Sequence, residues 1–386
     1  MKLLSMEATE KPYDCAIIGG GLAGLCLSIQ LADKGISVIL FEKNEYPFHK
    51  VCGEYISMES WDFLTRLGVP LDQLNLPVIN ELGISSENGF MLNHKLDLGG
   101  FGISRFSLDA YLAKIALQRK VRIVQNCNVH SVEKIQDSNH QIQTSAGSFE
   151  AEILCGSYGR YKPSFANKTV VDGKSATRNT GNFIGVKYHI NARSATNRIE
   201  LHNFQNGYCG ISKIDNDAFC LCYLTTAKNL RENGNDIKRM EEQVLYKNPF
   251  LRRYFTESTF LYPQPLVISN VQFRKKSTFA DDMFLLGDAA GSITPLCGNG
   301  MSMGMRASRL LTEQLLAYFE DEISMKNAVQ NYNKAWDQAF GRRIEAGYYL
   351  QNLFGKKNAT HLALRFLDRF PVIMNRLISL THGSRF

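Results

Sequence analysis

Three glycines, Gly19, Gly21 and Gly24, sit in the run Gly19-Gly20-Gly21-Leu22-Ala23-Gly24, after a β-branched stretch at Tyr13–Ile18 and before a helical pattern that opens near Leu22. That spacing suits a diphosphate. One glycine permits the tight turn, one lets the backbone approach the anion, and one lets the helix pack on the strand. The anion then rests on free N–H groups at the positive end of the helix dipole. A second β-branched stretch ends in Phe41-Glu42, about 20 residues on, where a carboxylate hydrogen-bonds a ribose 2′-OH and repels a 2′-phosphate. The tightly held nucleotide is therefore expected to be FAD or NAD, and not NADP.

A second signal separates those two. Leu285-Leu286-Gly287-Asp288-Ala289-Ala290-Gly291 places an Asp at the end of an apolar strand, where it can accept hydrogen bonds from a ribityl chain, which NAD lacks. The following Pro295-Leu296-Cys297-Gly298-Asn299-Gly300-Met301 starts a long helix whose N-terminal amides would stabilise negative charge on a reduced flavin ring. Taken alone, the stretch also fits a plain strand–turn–helix with a capping Asp. Joined to the glycine run, it points to FAD.

The elements that must position these residues alternate strand, helix and strand over Tyr13–Ile18, Leu22–Asp33 and Ser37–Phe41, the βαβ unit of a parallel sheet. Helical spacing recurs over Leu108–Arg119, ahead of a strand at Val121–Val124. Between about residues 182 and 225 the pattern becomes strands punctuated by Asn206-Gly207 and Asp215-Asn216, which reads as an inserted antiparallel sheet. A buried strand returns near Met283–Gly287, before a helix from about Asn299 to Glu320. The expectation is an α/β Rossmann-type FAD-binding fold with an inserted antiparallel-sheet substrate domain and a helical C-terminal region. The limits are 1–170 with 271–330, then 171–270, then 331–386. The substrate cavity is expected between the inserted sheet and the flavin.

These residues carry a resemblance. The chain resembles the flavoprotein group that contains p-hydroxybenzoate hydroxylase, flavin-dependent halogenases and geranylgeranyl reductases. Within it, Phe41–Ser57 (FEKNEYPFHKVCGEYIS) and Leu285–Arg309 (LLGDAAGSITPLCGNGMSMGMRASR) are most similar to the geranylgeranyl-reductase branch. The resemblance implies FAD contacts at Gly19, Gly21, Ala23, Glu42, Lys43, Cys52, Gly53, Asp288, Asn299, Gly300 and Met301, with Gly24 and Gly298 in the same turns. Arg105 is similar to an Arg that the family places near FAD.

The chain also departs from that family. Hydroxylases of the group carry an Asp-Gly that touches FAD and the nicotinamide donor; here Tyr158-Gly159 stands in its place, leaving NAD(P)H as the expected transient donor on weaker grounds. The reductase motif Tyr-x-Trp-x-Phe-Pro is matched by Gly207-Tyr208-Cys209-Gly210-Ile211-Ser212, without its Trp or Pro. The halogenase Trp-x-Trp-x-Ile is absent, since the two tryptophans are Trp61 and Trp336.

Three functions follow. The first is an NAD(P)H-dependent monooxygenase acting on a lipophilic aromatic, polyketide-like or isoprenoid molecule. The others are a flavin-dependent reductase of isoprenoid double bonds and a non-enzymatic FAD-bound sensor. Decay of the prenyl-reductase motif beside intact flavin motifs favours the first. No catalytic acid or base is legible. Cys52 is read as a flavin contact or as packing, His49-Lys50 as facing the pyrophosphate or as a solvated loop, and Cys220 with Cys222 as a buried thiol pair on a sheet face. The histidines show no metal spacing and no Ser-His-Asp constellation suggests itself.

Composition excludes other classes. With 44% hydrophobic and 21% charged residues over 386 positions the chain is ordinary globular. Its net charge of +7 lacks the compact basic cluster of a nucleic-acid binder. Nine scattered cysteines without a CxxC pair suit a reducing cytoplasm better than a disulfide framework. Neither a leader in Met1–Tyr13 nor a spanning run is apparent. Residues 332–386 carry nine Lys/Arg against three Asp/Glu among aromatic and aliphatic residues, which fits either a helical cap or a helix lying on an anionic bilayer, with the cap favoured. Cytoplasmic localisation with peripheral membrane contact is the wider expectation, and the oligomeric state is left open.

Overall fold

A computed structural model describes residues 11–135, 139–166, 182–271, 273 and 275–386. Residues 1–10, where a leader was weighed, and the expected boundary at 170/171 lie outside them.

The first sheet is built from parallel strands Tyr13–Ile18, Val38–Phe41, Arg122–Val124, Gly147–Gly156 and Met283–Leu285, with Tyr13–Ile18 at its centre. Cys15 pairs with Val38 on one side and Ile153 on the other. Val38–Phe41 is buried throughout, which is why it reads as an unbroken apolar run: helices cover a parallel sheet on both faces. Helix Leu22–Ala32 packs against Arg105–Gln118 and Gly300–Phe319. The Gly300–Phe319 contact is close, since a Cβ at Gly304 would lie 3.6 Å from that of Ala23. The sheet thus closes with residues far along the chain from where it opens, as expected.

The second sheet has nine strands among the described residues. In order they run Thr259–Phe260, Phe183–Asn191, Phe219–Thr226, Gly207–Lys213, Arg198–Phe204, Val78–Ser85, Met91–Gly102 and Tyr55–Ser57, with Leu266–Val271 also paired to Phe183–Asn191. Four of these answer to the expected sheet at 182–225. The sequence did not reveal that Tyr55–Ser57, Val78–Ser85 and Met91–Gly102 join them, nor that Arg198–Phe204 lies parallel to Val78–Ser85. The domain limits given above are kept as a proposal along the chain; the hydrogen-bonded sheets themselves interleave across them.

Three helices close the chain. Met325–Gln351 buries Ala328, Tyr332, Trp336, Phe340, Ile344 and Gly347 along one face. Helices Lys357–Arg369 and Pro371–Ser379 lay Leu364 and Met374 into a cluster with Leu201, Tyr208 and Leu224 of the second sheet. No helix among the described residues is long and apolar enough to cross a membrane.

Candidate active site

The glycines of the fingerprint divide by what the chain itself demands of them. Gly19 has φ +108°, and a Cβ there would lie 2.4 Å from the Ser157 carbonyl oxygen; one at Gly24 would lie 2.3 Å from the Gly19 oxygen. Both must be glycine for the backbone alone. A Cβ at Gly21 would meet nothing nearer than Lys50 Nζ at 3.7 Å, and none at Gly53 would touch anything within 4 Å. Open space with a cation beside it, before a helix whose first turn has no side-chain cap, is a cradle for a diphosphate. These residues fit FAD.

Glu42 holds that turn in place. Its Oε2 accepts from Gly20 N at 2.9 Å and its Oε1 from Asn44 N and Nδ2 at 3.0 and 2.8 Å. The Tyr46 hydroxyl donates to the Gly20 carbonyl from the other side. Ala23 is buried under the turn at Gly287, whereas Lys43 is exposed.

Beside the cradle lies a buried charge cluster. Arg105 Nε and Nη2 donate to the two oxygens of Asp109 at 2.8 and 2.7 Å, and Lys50 joins Asp109 at 3.2 Å. Glu54, fully buried and with φ 55°, accepts from Arg105 N at 2.8 Å, Lys187 Nζ at 2.5 Å and pairs with His189 Nε2 at 2.6 Å. Lys187 also donates to the Lys50 carbonyl at 3.1 Å. Three cations, Arg105, Lys50 and Lys187, thus face Asp109 and Glu54, and the buried Glu42 also acts on Lys50, so the cluster is paired within itself as a buried site requires.

The electrostatics follow. Burial disfavours charge on Asp109, but Arg105 and Lys50 outweigh it and hold the carboxyl below its ordinary range. Burial opposes ionisation of Glu54 too, and His189 with Lys187 overcomes it. Lys50 is pulled down by burial against the upward pull of Asp109. His49 is lowered by burial and by Lys187 and His189; its ring stacks on Phe106 and meets His189 edge-on at 5.3 Å, and its Nε2 lies 3.2 Å from the exposed Tyr262 hydroxyl.

The second-sheet face that carries Lys187 and His189 also carries Cys222 and Cys220 opposite them, and then Gly210 and Ser212. Cys220 Sγ reaches the Cys52 carbonyl at 3.3 Å, and Cys52 Sγ lies 3.6 Å from Met301 Sδ. The expected thiol pair therefore stands next to the expected flavin-contact residues. Ser212 Oγ, on the same face, is buried with no hydrogen-bonding partner among the described residues, and the buried Tyr208 hydroxyl lies against Thr294.

At the far turn Asp288 pairs with Arg160 at 3.4 Å, and Lys276 donates to its carbonyl at 2.8 Å. Gly298 has φ 61° and packs on Tyr55. The Asn299 side chain is taken up by Glu59 and Arg343, so it is the backbone at Asn299, Gly300 and Met301 that opens the helix toward the cleft.

Sequence reasoning missed Glu54, Asp109, Lys187 and His189. A signal existed for two of them: Lys187 and His189 alternate as polar residues on an otherwise apolar strand. It also missed a Ser85–His202–Glu200 chain, with His202 Nδ1 2.8 Å from Ser85 Oγ and Nε2 2.9 Å from Glu200 Oε2. This corrects the expectation of no such constellation. All three are buried and Ser85 Oγ accepts from Asn248, so the chain braces the sheet and has no access for a substrate. Glu54, His189 and Cys220 bring donor atoms within 4.8 Å of one another, yet both Glu54 oxygens are already engaged.

A family model described as pyridine nucleotide-disulphide oxidoreductase matches residues 16–184. The chain is 23% identical over 416 residues to conditioned medium factor receptor 1 of Dictyostelium discoideum, covering 98% of this chain and 75% of that protein. It is 24% identical over 369 residues to digeranylgeranylglycerophospholipid reductase 1 of Methanococcoides burtonii, covering 89% and 84%. In solved structures its fold is shared with the flavin-dependent brominase Bmp2, at a TM-score of 0.80 and 17% identity over 97% of this chain and 94% of that one.

Proposed function

We propose that the chain, an FAD-dependent oxidoreductase similar to flavoproteins that include the geranylgeranyl reductases, is an NAD(P)H-dependent monooxygenase of a lipophilic small molecule bearing polar groups. The observation that carries the substrate class is the buried Ser212 Oγ, without a partner among the described residues, on the sheet face beside Cys220 and His189. A buried hydroxyl without a partner is costly, about 1–3 kcal/mol, unless a ligand supplies one. An oxygenated aromatic or polyketide-like molecule offers such partners and a bare isoprenoid chain does not.

FAD, when bound, supplies the redox chemistry, taking hydride from a reduced nicotinamide and passing electrons to oxygen. Gly19, Gly21 and Gly24 with Lys50 would hold its diphosphate and Glu42 its ribose; Cys52, Gly53 and the backbone at Asn299–Met301 would border its ring. Arg105 and Lys187 put fixed positive charge where negative charge develops. Glu54 locks Lys187 and fixes the His189 ring through Nε2, and His49 stands between His189 and the exposed Tyr262 hydroxyl. Nine free cysteines accord with a cytoplasmic setting, which is part of the proposal, as is contact with a membrane surface.

The test is isotopic. Protein with FAD and NAD(P)H, given a lipophilic cell extract under ¹⁸O₂, should yield a product carrying one ¹⁸O while the other atom appears in water. Deuterium transferred from reduced nicotinamide under argon, with no ¹⁸O uptake under ¹⁸O₂, would identify a double-bond reductase. Neither label in any product would identify a sensor.

A further inference from the structure

The last two described helices expose an apolar surface that no described residue covers. On Lys357–Arg369, Leu362 and Phe366 recur four residues apart and Phe370 follows at the same interval, which puts them in one stripe opposite the buried Thr360 and Leu364. Leu362 is 67% exposed, Phe366 52% and Phe370 48%. On Pro371–Ser379, Val372 is 81% exposed and Ile373 40%, while Met374 turns inward. Phe366 and Phe370 rings meet at 4.8 Å, so the two helices present one continuous patch. Exposed apolar residues gathered in this way on a globular chain mark an interaction surface.

The charge around the patch chooses the occupant. Over residues 356–380 the basic residues are Lys356, Lys357, Arg365, Arg369 and Arg376, and the only acid is Asp368. A second copy docking through a two-fold axis would set these cations against themselves. A bilayer with anionic headgroups has the complementary sign and takes the apolar side chains to the depth of the headgroup–acyl boundary. Neither helix is long enough to span.

We infer that helices Lys357–Arg369 and Pro371–Ser379 form a peripheral docking surface for an anionic lipid bilayer. The inference rests on the lipophilic-substrate reading given above and gives it a route. The inner faces of these helices pack on Tyr208, Leu201 and Leu224, so the element that meets the lipid also roofs the sheet face carrying the Ser212 hydroxyl.

Flotation of the FAD-loaded protein with vesicles tests it. Wild type should float with equimolar phosphatidylcholine and phosphatidylglycerol, less with phosphatidylcholine alone, and less again at high salt, where surface charge is screened. Leu362→Ser/Phe366→Ser/Val372→Ser should float about ten-fold less, because each removed apolar side chain weakens partitioning, while keeping its yellow colour and helical circular dichroism. Arg365→Gln/Arg369→Gln should lose the preference for anionic vesicles. Absence of flotation by wild type, or equal flotation by the apolar variant, would overturn the inference. So would a concentration-dependent dimer that the apolar variant abolishes, since a second copy would then be the occupant. Colourless protein that still floats would sink the flavin reading and leave the docking surface standing.

Discussion

Lys187 Nζ lies 2.5 Å from Glu54 Oε1, although Glu54 precedes the strand at one edge of the nine-stranded sheet and Lys187 sits one strand in from the other edge. In a flat sheet six strand spacings would hold them about 30 Å apart. Twist and curl bring the edges round, and the charges gather inside the curve. Each partner then depends on the other, because a buried charge left alone is far more costly than the pair.

Lys187→Met should therefore lower stability by about 3–5 kcal/mol, read as the denaturation midpoint. The double variant Glu54→Gln/Lys187→Met should recover part of that loss. Strict additivity of the two single effects would contradict the pairing.

The acid limb of stability should belong to Asp109 and Glu54. Both carboxyls are held below their unfolded values, so their contribution is present above the ordinary carboxylate range near pH 4 and is lost as pH falls through the depressed folded values. Asp109→Asn should flatten the dependence in that window and leave neutral-pH slopes alone, as followed by thermal unfolding across pH.

Glu241 carries the opposite sign. Burial pushes it up to about 7, against the hydrogen bonds from Tyr223 and Tyr188 at 2.7 and 2.9 Å. Its raised value favours the folded state below pH about 4.5, and that contribution fades as pH rises through 7. Glu241→Gln should thus raise stability at pH 8 by on the order of 1–3 kcal/mol and remove the slope between those two values. An unchanged slope in the variant would count against the assignment.

Two glycine substitutions should fail in different ways. Gly24→Val drives a side chain into the Gly19 oxygen and should cost at least about 1–3 kcal/mol or prevent folding. Gly21→Val meets open space, so its melting temperature should stay near that of wild type when both are measured without FAD. Equal destabilisation by the two would mean that Gly21 serves the backbone and not a ligand.

Much of the frame was legible because it is local. The parallel strands announce themselves as apolar runs, and the glycine turn must precede a helix whatever else the chain does. Gly19 and Gly24 were readable for the same reason. The second sheet was half legible: residues 182–225 carry their own hairpin signals, but Val78–Ser85 and Met91–Gly102 could be assigned to it only from tertiary pairing. The charge cluster was the least legible part. Glu54, Lys187 and His189 come together through sheet curl and through contacts between residues more than a hundred positions apart, which no local period records, whereas Asp109 meets Arg105 at helical i,i+4 spacing. Asn299 shows the converse, since its position was anticipated while its side chain proved to be bound to Glu59.

The central claim is that the cradle at Gly21 and Lys50, with the charge cluster behind it, holds FAD. Titration of FAD into the apoprotein, followed by quenching of flavin fluorescence, tests it most directly. Wild type should take up one FAD per chain and turn yellow, Lys50→Met should bind about ten-fold more weakly for want of one charge-assisted contact, and Gly21→Val should take up none while remaining folded. Wild-type protein that stays colourless and leaves flavin fluorescence unquenched, or a Gly21→Val variant that binds FAD as tightly as wild type, would contradict the account.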